Sequence, residues 1–136
     1  MGLKHLNPPE LPDWSALFSQ IVVAEGSQHR IVAISGQVGV DARQVVAGDG
    51  SFEAQTKKAC KNLAVALSAA RCSVADLMKL TIYVVGYGPE KAGVITEVLR
   101  QQFGGGDLPA LTLVGVQALA KPEFQIEIEA LAIATP

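Results

Sequence analysis

The alternation of apolar and polar residues near the C-terminus limits most strongly how this chain can fold. In the run FQIEIEALAI, from Phe124 onward, residue type alternates with the two-residue period of a β-strand that buries one face. Ile126 and Ile128 point to one face of this strand. Glu127 and Glu129 point to the other, so two carboxylates stand side by side on one face of a sheet.

Another strand precedes this one. In the segment LPALTLVGV, Leu111 and Leu113 share one face, whereas Thr112 and Val114 share the opposite face. The segment AKPE that follows ends the alternation, because proline has no N–H to donate to a sheet ladder. The whole stretch 108–133 therefore predicts two strands joined by a short polar turn.

Strand and helix patterns alternate through the rest of the chain. Runs of β-branched and apolar residues predict strands at 19–24, 30–35 and 76–87. Apolar stripes with helical spacing predict one helix over 51–70 and another from Pro89 to the glycines at 104–106. Residues 1–17 contain several prolines and predict an irregular N-terminal arm.

The predicted order is β-β-α-β-α-β-β, in a single domain that spans all 136 residues. Helices that connect strands place a mixed sheet under a layer of two helices, which is an α+β fold. The alternation predicts that both helices cover the face of Ile126 and Met78. The opposite face, with Glu127, Tyr83 and Leu111, is predicted to stay uncovered within one chain.

Composition indicates a protein that associates with copies of itself. Only 18% of the residues are charged, against ~25% in a typical soluble protein. The polar coat is therefore thin for a monomer. We expect part of the apolar surface to be buried between subunits.

The charge distribution argues against a nucleic-acid-binding protein, and the lengths of the apolar runs argue against a membrane protein. The net charge is −2 and the basic residues are scattered, which argues against a nucleic-acid partner. No segment offers ~18 uninterrupted apolar residues for a membrane span, and the N-terminus lacks the apolar core of a signal peptide. We therefore expect a soluble, cytoplasmic protein with no membrane partner.

The metal-binding residue types are few and isolated. Cys60 and Cys72 do not make a metal-binding pattern or a disulfide framework, and we predict that both are reduced, structural thiols. His5 and His29 have no partners at the spacing of a catalytic triad or a metal site. The sequence therefore predicts no metal and no cofactor.

The residues alone leave two interpretations of the paired carboxylates. Glu127 and Glu129 repel each other, so one holds its proton to a higher pH, as a general acid or base requires. In the other interpretation they form a solvated edge with Lys79 as an ion-pair partner. A separate signal is Gly36, where a missing side chain lets the backbone approach another group closely.

Five segments occur together in a specific order and spacing: Phe18-Ser19-Gln20, Ile34-Ser35-Gly36-Gln37, the helix with Gln55 and Asn62, Leu108-Pro109-Ala110, and Ile126-Glu127-Ile128-Glu129-Ala130. In this arrangement the chain resembles the reactive intermediate/imine deaminase family, also called RidA, YjgF or L-PSP endoribonuclease. The resemblance extends from Pro12 to Ile133. It implies a chorismate-mutase-like fold assembled as a homotrimer around a β-barrel, with three clefts for a small-molecule ligand between subunits.

The resemblance also implies a site from which this chain departs. The family glutamate, which acts with a water near the imine carbon, matches Glu127. Family members that hydrolyse imines of 2-amino acids clamp the substrate carboxylate with an arginine, and that position is Leu111 here. A tyrosine and a cysteine of the family are also replaced. The implied site comprises catalytic Glu127 and the ligand-binding residues Phe18, Ser35, Gly36, Leu111 and Leu113.

Two functional hypotheses follow from this comparison. The first is a hydrolase of a reactive imine, enamine or related intermediate, and not an efficient deaminase of 2-amino-acid imines, because Leu111 carries no charge. The alternative is a non-catalytic trimer that binds a ligand or another protein. Endoribonuclease activity has no support in the sequence, since no histidine pair and no basic groove are evident.

Overall fold

The computed structural model describes residues 2–104 and 108–135. The predicted strands and helices are present in the predicted order, with one additional strand at the N-terminus. The elements are β1 (Gly2–Leu6), β2 (Ile21–Glu25), β3 (Arg30–Val38), α1 (Phe52–Ala69), β4 (Leu77–Val85), α2 (Pro89–Phe103), β5 (Ala110–Val116) and β6 (Ile126–Ala134).

The six strands of the described residues form one mixed sheet in the order β1-β2-β3-β6-β4-β5. β5 runs parallel to β4, because the chain crosses over through α2 between them, and the other neighbours are antiparallel. β6 is the last strand in sequence, yet it lies between β3 and β4. The strand with the paired carboxylates is therefore enclosed by strands from two separate parts of the chain.

The prediction of an irregular arm over residues 1–17 is wrong for its first residues. Gly2–Leu6 form β1, which pairs with β2 at the edge of the sheet, with Leu3 opposite Ala24. The prolines begin only at Pro8, so they limit the segment after the strand. A five-residue edge strand has little pattern of its own, and its pairing with β2 decides its conformation.

Both helices begin and end at signals that the sequence contains. The Ser51 hydroxyl caps α1 by accepting a hydrogen bond from the Ala54 N–H at 3.2 Å. Pro89 opens α2, and Gly104 follows its last residue with a φ of 63°. The apolar stripes of the two helices share one core with one face of the sheet. Within the described ranges, no helix is long and apolar enough to cross a bilayer.

One predicted member of the covered face is wrong. Leu80 and the alternate residues after it in β4 are buried under the helices, but Met78 is 48% exposed. The pairing of β4 with β6 shifts between Leu77 and Lys79, so Leu77 takes the buried position instead. Such a bulge reverses the alternation on one side of it, which a strict two-residue period does not reveal.

The face of the sheet opposite the helices carries an apolar patch. Ile31 pairs with Ile133 across β3 and β6, and Ala33 pairs with Leu131. The side chains of Ile31, Leu131 and Ile133 remain well exposed in one chain. This patch is the kind of surface that the low content of charged residues leads us to expect.

Both cysteines are free thiols, as predicted. Cys60 lies in the core on α1, and burial raises its pKa to about 12. Burial also raises the pKa of Cys72. Both side chains therefore stay protonated near neutral pH and pack as small apolar groups.

Arg30 is a buried cation that the sequence pattern did not single out. Its guanidinium donates hydrogen bonds to the carbonyls of Ala70 at 2.7 Å, Arg71 at 3.0 Å and Thr135 at 3.3 Å. Ala70 caps the C-terminus of α1, where carbonyls lack partners within the helix. Arg30 thus joins β3, the end of α1 and the end of β6, with its charge at the negative pole of the helix.

Replacing Arg30 with methionine should destabilise the fold. The variant keeps an apolar stem but loses the three hydrogen bonds, and each bond from a charged donor contributes roughly 1.5–3 kcal/mol. We expect Arg30→Met to lower the free energy of unfolding by about 3 kcal/mol, measured by urea denaturation at fixed protein concentration. Arg71→Met is the matched control because the Arg71 side chain is exposed. Equal losses in the two variants would contradict the role of Arg30.

Candidate active site

Glu127 and Glu129 lie on the face of the sheet opposite the helices, as the alternation predicts. Ile126 and Ile128 alternate with them and are fully buried beneath the helices. Because β6 has a neighbouring strand on each side, both carboxylates are partly buried. They therefore do not form the solvated edge that was the alternative interpretation.

Gly36 lies against the Glu127 carboxylate. The pairing of β3 with β6 shifts register between Ile34 and Gln37, and this bulge brings the Gly36 backbone close to Glu127. A Cβ at position 36 would lie 2.5 Å from Cδ and 2.7 Å from Oε1 of Glu127. Any side chain at position 36 would therefore require the Glu127 carboxylate to move from this position. The close approach predicted for Gly36 is thus an approach to the predicted catalytic residue.

Side chains on either side of this glycine hold the bulge in place. The Ser35 hydroxyl donates to the Ser19 carbonyl at 2.7 Å, and the Gln37 amide donates to Oε1 of Gln20 at 2.6 Å. Gln20 in turn donates to the carbonyl of Pro12 at 3.1 Å. Both glutamines are buried, so the network is shielded from water. The hydroxyl of Ser35, which was predicted to contact a ligand, forms its hydrogen bond within the chain. The role of Gln20 was not visible in the sequence.

Tyr83 lies beside the two carboxylates and was predicted only to share their face. It lies opposite Glu127 in the pairing of β4 with β6, and its phenol donates a hydrogen bond to Glu129. This bond to Glu129 is the main cause that raises the pKa of the Tyr83 phenol, with desolvation second. The Lys79 amine, the predicted ion-pair partner, instead bonds to the Thr112 hydroxyl. A neutral donor therefore holds Glu129.

Burial raises the pKa of Glu127, and the charge of the neighbouring Glu129 raises it further. Among the described residues, neither carboxylate forms an ion pair with a lysine or an arginine. The repulsion predicted from the spacing is present, although burial is the larger cause. A carboxylate with a raised pKa is a stronger base, which suits the transfer of protons to and from a reacting molecule.

The structure corrects the predicted face of Leu111. In the pairing of β5 with β4, Leu111 lies opposite Leu80 and Leu113 lies opposite Ile82, and both of these partners are buried on the helix side. Leu111 therefore points away from the face that carries Glu127. The alternation within β5 was predicted correctly. The orientation of β5 relative to the helices depends on its register with β4, which the pattern of one strand does not contain.

Three residues predicted to share an apolar pocket are apart in one chain. Phe18 is 42% exposed in the irregular segment after β1, and its ring stacks on Trp14 with centroids 6.3 Å apart. Leu113 packs against the core. Leu111 lines a cleft between α2 and β5. A single chain thus presents the predicted ligand-binding residues at separate places.

The cleft beside Leu111 is the second part of the candidate site. It has a volume of about 400 Å³ and walls made mostly of apolar side chains, among them Leu99 and Phe103 of α2. Arg100 stands between these two on the same helix and also lines the cleft. The volume is in the range of small-molecule sites. In residues 2–104 and 108–135, no group of three or more His, Cys, Asp or Glu side chains is placed to hold a metal ion.

Comparison with known proteins agrees with this arrangement of strands and helices. The sequence model of the Endoribonuclease L-PSP family matches residues 10–134. The chain belongs to this family. It is 31% identical to 2-iminobutanoate/2-iminopropanoate deaminase of Rattus norvegicus, over 98% of this chain and 91% of that protein. The resemblance to the RidA/YjgF/L-PSP family is thus confirmed.

Solved structures of L-PSP family members share the fold. A putative endoribonuclease L-PSP from Entamoeba histolytica superimposes with a TM-score of 0.84 at 27% identity, covering 98% of this chain and 100% of the other. RidA from the Antarctic bacterium Psychrobacter sp. superimposes with a TM-score of 0.81 at 26% identity, covering 96% and 99%. The predicted α+β class, a mixed sheet with two helices, is therefore confirmed.

Replacing Glu127 with glutamine should stabilise the protein at neutral pH. Because the folded chain binds the Glu127 proton more tightly than the unfolded chain does, this residue lowers stability as the pH rises from about 4.3, the unfolded pKa, through the raised folded pKa. Glu127→Gln should therefore have a higher Tm than the parent at pH 7, and the gain should vanish below about pH 4.

Thermal unfolding at both pH values and equal protein concentration measures this difference. Glu123→Gln removes one negative charge from an exposed position and serves as the control. A gain from Glu127→Gln that is the same at pH 4 and pH 7 would show that the carboxylate is not held in the proposed environment.

Proposed function

We propose that this protein hydrolyses a reactive imine or enamine and releases ammonia, with Glu127 as the residue that moves protons. The observation that carries the proposal is the partly buried Glu127 carboxylate, packed against Gly36 and with a raised pKa. The reaction class is supported by the rat relative, which is named as a deaminase of 2-iminobutanoate and 2-iminopropanoate.

Imine hydrolysis requires one group that can accept a proton and then donate it. A water adds to the imine carbon while one of its protons passes through the Glu127 carboxylate to the nitrogen, giving a carbinolamine. The proton of the new hydroxyl then follows the same route as the C–N bond breaks. The products are a carbonyl compound and ammonia, and Glu127 returns to its starting state. An enamine first takes a proton on carbon and gives up one from nitrogen, which yields the corresponding imine.

We further propose that the site is completed between subunits of a homotrimer. Leu111 and Glu127 point to opposite faces of one sheet, so one chain does not place both against one small molecule. Clefts between subunits would let one chain supply Glu127 and its neighbour the wall beside Leu111. The apolar patch with Ile31, Leu131 and Ile133 supports burial of the open face in such an assembly.

The residue at position 111 limits the substrate. An arginine there would hold a carboxylate by charge-assisted hydrogen bonds of roughly 1.5–3 kcal/mol each, or about 10- to 150-fold in affinity per bond. Leu111 makes none of these bonds. We therefore propose that imines of 2-amino acids, whose carboxylate adjoins the reacting carbon, are poor substrates. Imines without a carboxylate at that position fit the site better.

A non-catalytic role is the second candidate, and one observation favours it. By the resemblance to the family, Leu111, Phe18 and Leu113 stand where other members have a guanidinium, a phenol and a thiol, so a site assembled from them would have fewer polar groups and more apolar surface. A trimer that only binds a ligand or another protein, without catalysis, would not require those polar groups. Glu127 would then be a hydrogen-bond acceptor for the ligand.

Ammonia release distinguishes the two candidates. The assay uses benzophenone imine as a neutral substrate and 2-imino acids freshly generated by an amino-acid oxidase. We expect the parent to accelerate hydrolysis of the neutral imine and Glu127→Ala to lower kcat/KM by about 100-fold or more, the scale of a lost general base. Gly36→Ala should lose activity as well, because its Cβ would displace the carboxylate. Glu123→Ala is the matched control.

Each outcome favours one candidate. Activity of the parent that survives Glu127→Ala would remove Glu127 from the mechanism. A parent that hydrolyses none of the imines, together with activity created by Leu111→Arg on 2-imino acids, would favour the non-catalytic trimer. Parent activity that is higher on 2-imino acids than on the neutral imine would contradict the proposed substrate class.

A further inference from the structure

We infer that Arg100, on α2, supplies the positive charge that position 111 lacks, so that the cleft between α2 and β5 binds monocarboxylic acids with an apolar tail. The inference rests on the proposed function, since it names a ligand class for the same site. Binding to the cleft itself requires no catalysis, which allows the two to be tested apart.

The cleft offers an apolar wall on each side. Leu99 and Phe103 line it from α2, Leu111 lines it from β5, and Leu80 of β4 lies at its base. Leu111 is 46% exposed, so its side chain is available to a ligand in one chain. An aliphatic segment of about five carbons would bury its apolar surface against these side chains, which favours binding. The apolar side chains of the cleft thus favour a ligand with an aliphatic tail.

Arg100 gives the cleft its charge. Of the described residues that line the cleft, only Arg100 is charged. Thr96, another polar lining residue, uses its hydroxyl as a donor to the Ala92 carbonyl at 2.9 Å. A ligand with a negative group next to an apolar body therefore matches the described residues of the cleft.

The guanidinium of Arg100 has N–H donors that its contact with Glu97 does not use. Its partner is the Glu97 carboxylate, one turn earlier on α2, at 3.3 Å. Both side chains are more than half exposed, and exposed pairs at this spacing are weak. A guanidinium has five N–H donors in a planar fork, so it can bind a carboxylate of the ligand in place of Glu97 or beside it. Glu97 would compete with the ligand.

The position of the charge sets the orientation of the acid. Arg100 lies on the helix wall, whereas an arginine at position 111 would lie on the strand wall. The carboxylate is then held at α2, and the tail extends toward Leu111. This arrangement favours acids whose carboxylate is separated from the reacting carbon by an apolar segment. It agrees with the proposal that 2-imino acids are poor substrates.

The test is a titration of the full-length protein with hexanoate, followed by amide NMR, with hexanamide as the neutral probe of equal length. We expect hexanoate to shift the signals of α2 and β5 and to bind more tightly than hexanamide. Arg100→Gln should weaken hexanoate binding about five- to tenfold and leave hexanamide unchanged. Arg100→Lys should restore part of the loss. Glu97→Gln should strengthen hexanoate binding, because it removes the competing carboxylate.

Arg43→Gln is the matched control, since Arg43 is an exposed arginine that does not line the cleft. Equal affinities for hexanoate and hexanamide, or an Arg100→Gln variant with the affinity of the parent, would overturn the inference. Hexanoate binding that depends on Arg100 in a protein that hydrolyses no imine would overturn the proposed function alone. Hydrolysis of the neutral imine by a protein whose hexanoate binding does not depend on Arg100 would overturn the inference alone.

Discussion

The contact between the Glu127 carboxylate and the Gly36 backbone is the constraint on which the candidate site depends. It arises because the last strand in sequence inserts between β3 and β4, and because β3 bulges where it passes Glu127. The contact removes part of the carboxylate from water, and this burial is the main cause of its raised pKa. The missing side chain at position 36 thus leaves the Glu127 carboxylate in its position, and burial together with the charge of Glu129 raises its pKa.

Buried polar groups hold the strands that make this contact. The amides of Gln20 and Gln37 connect the irregular segment after β1 with the bulge, and Arg30 connects β3 with the ends of α1 and β6. Such groups are costly to bury unless every hydrogen bond is made. In the described part of the chain, no buried side-chain nitrogen or oxygen lacks a partner. The polar network therefore fixes the register of β3 relative to its neighbours.

The sheet separates two halves of the proposed site. Glu127 and Gly36 lie on the open face, whereas Leu111 and Arg100 line a cleft on the helix side. The proposed reaction therefore requires that Glu127 of one chain lie close to the Leu111 cleft of its neighbour. Arg100 on α2 gives this cleft a positive charge, although Leu111 carries none.

The sequence by itself determined the type of most elements and the alternation within each strand, because these follow from the local period of apolar residues and from capping and turn residues such as Ser51 and Pro89. It also identified Gly36 and Glu127 as residues of interest and, by resemblance, the family. Only the tertiary structure decided that Leu111 faces the helices, that Met78 is exposed, that residues 2–6 form a strand, and that Arg100 lines the cleft. Each of these depends on register, bulges or pairing between distant segments, and no local pattern encodes them.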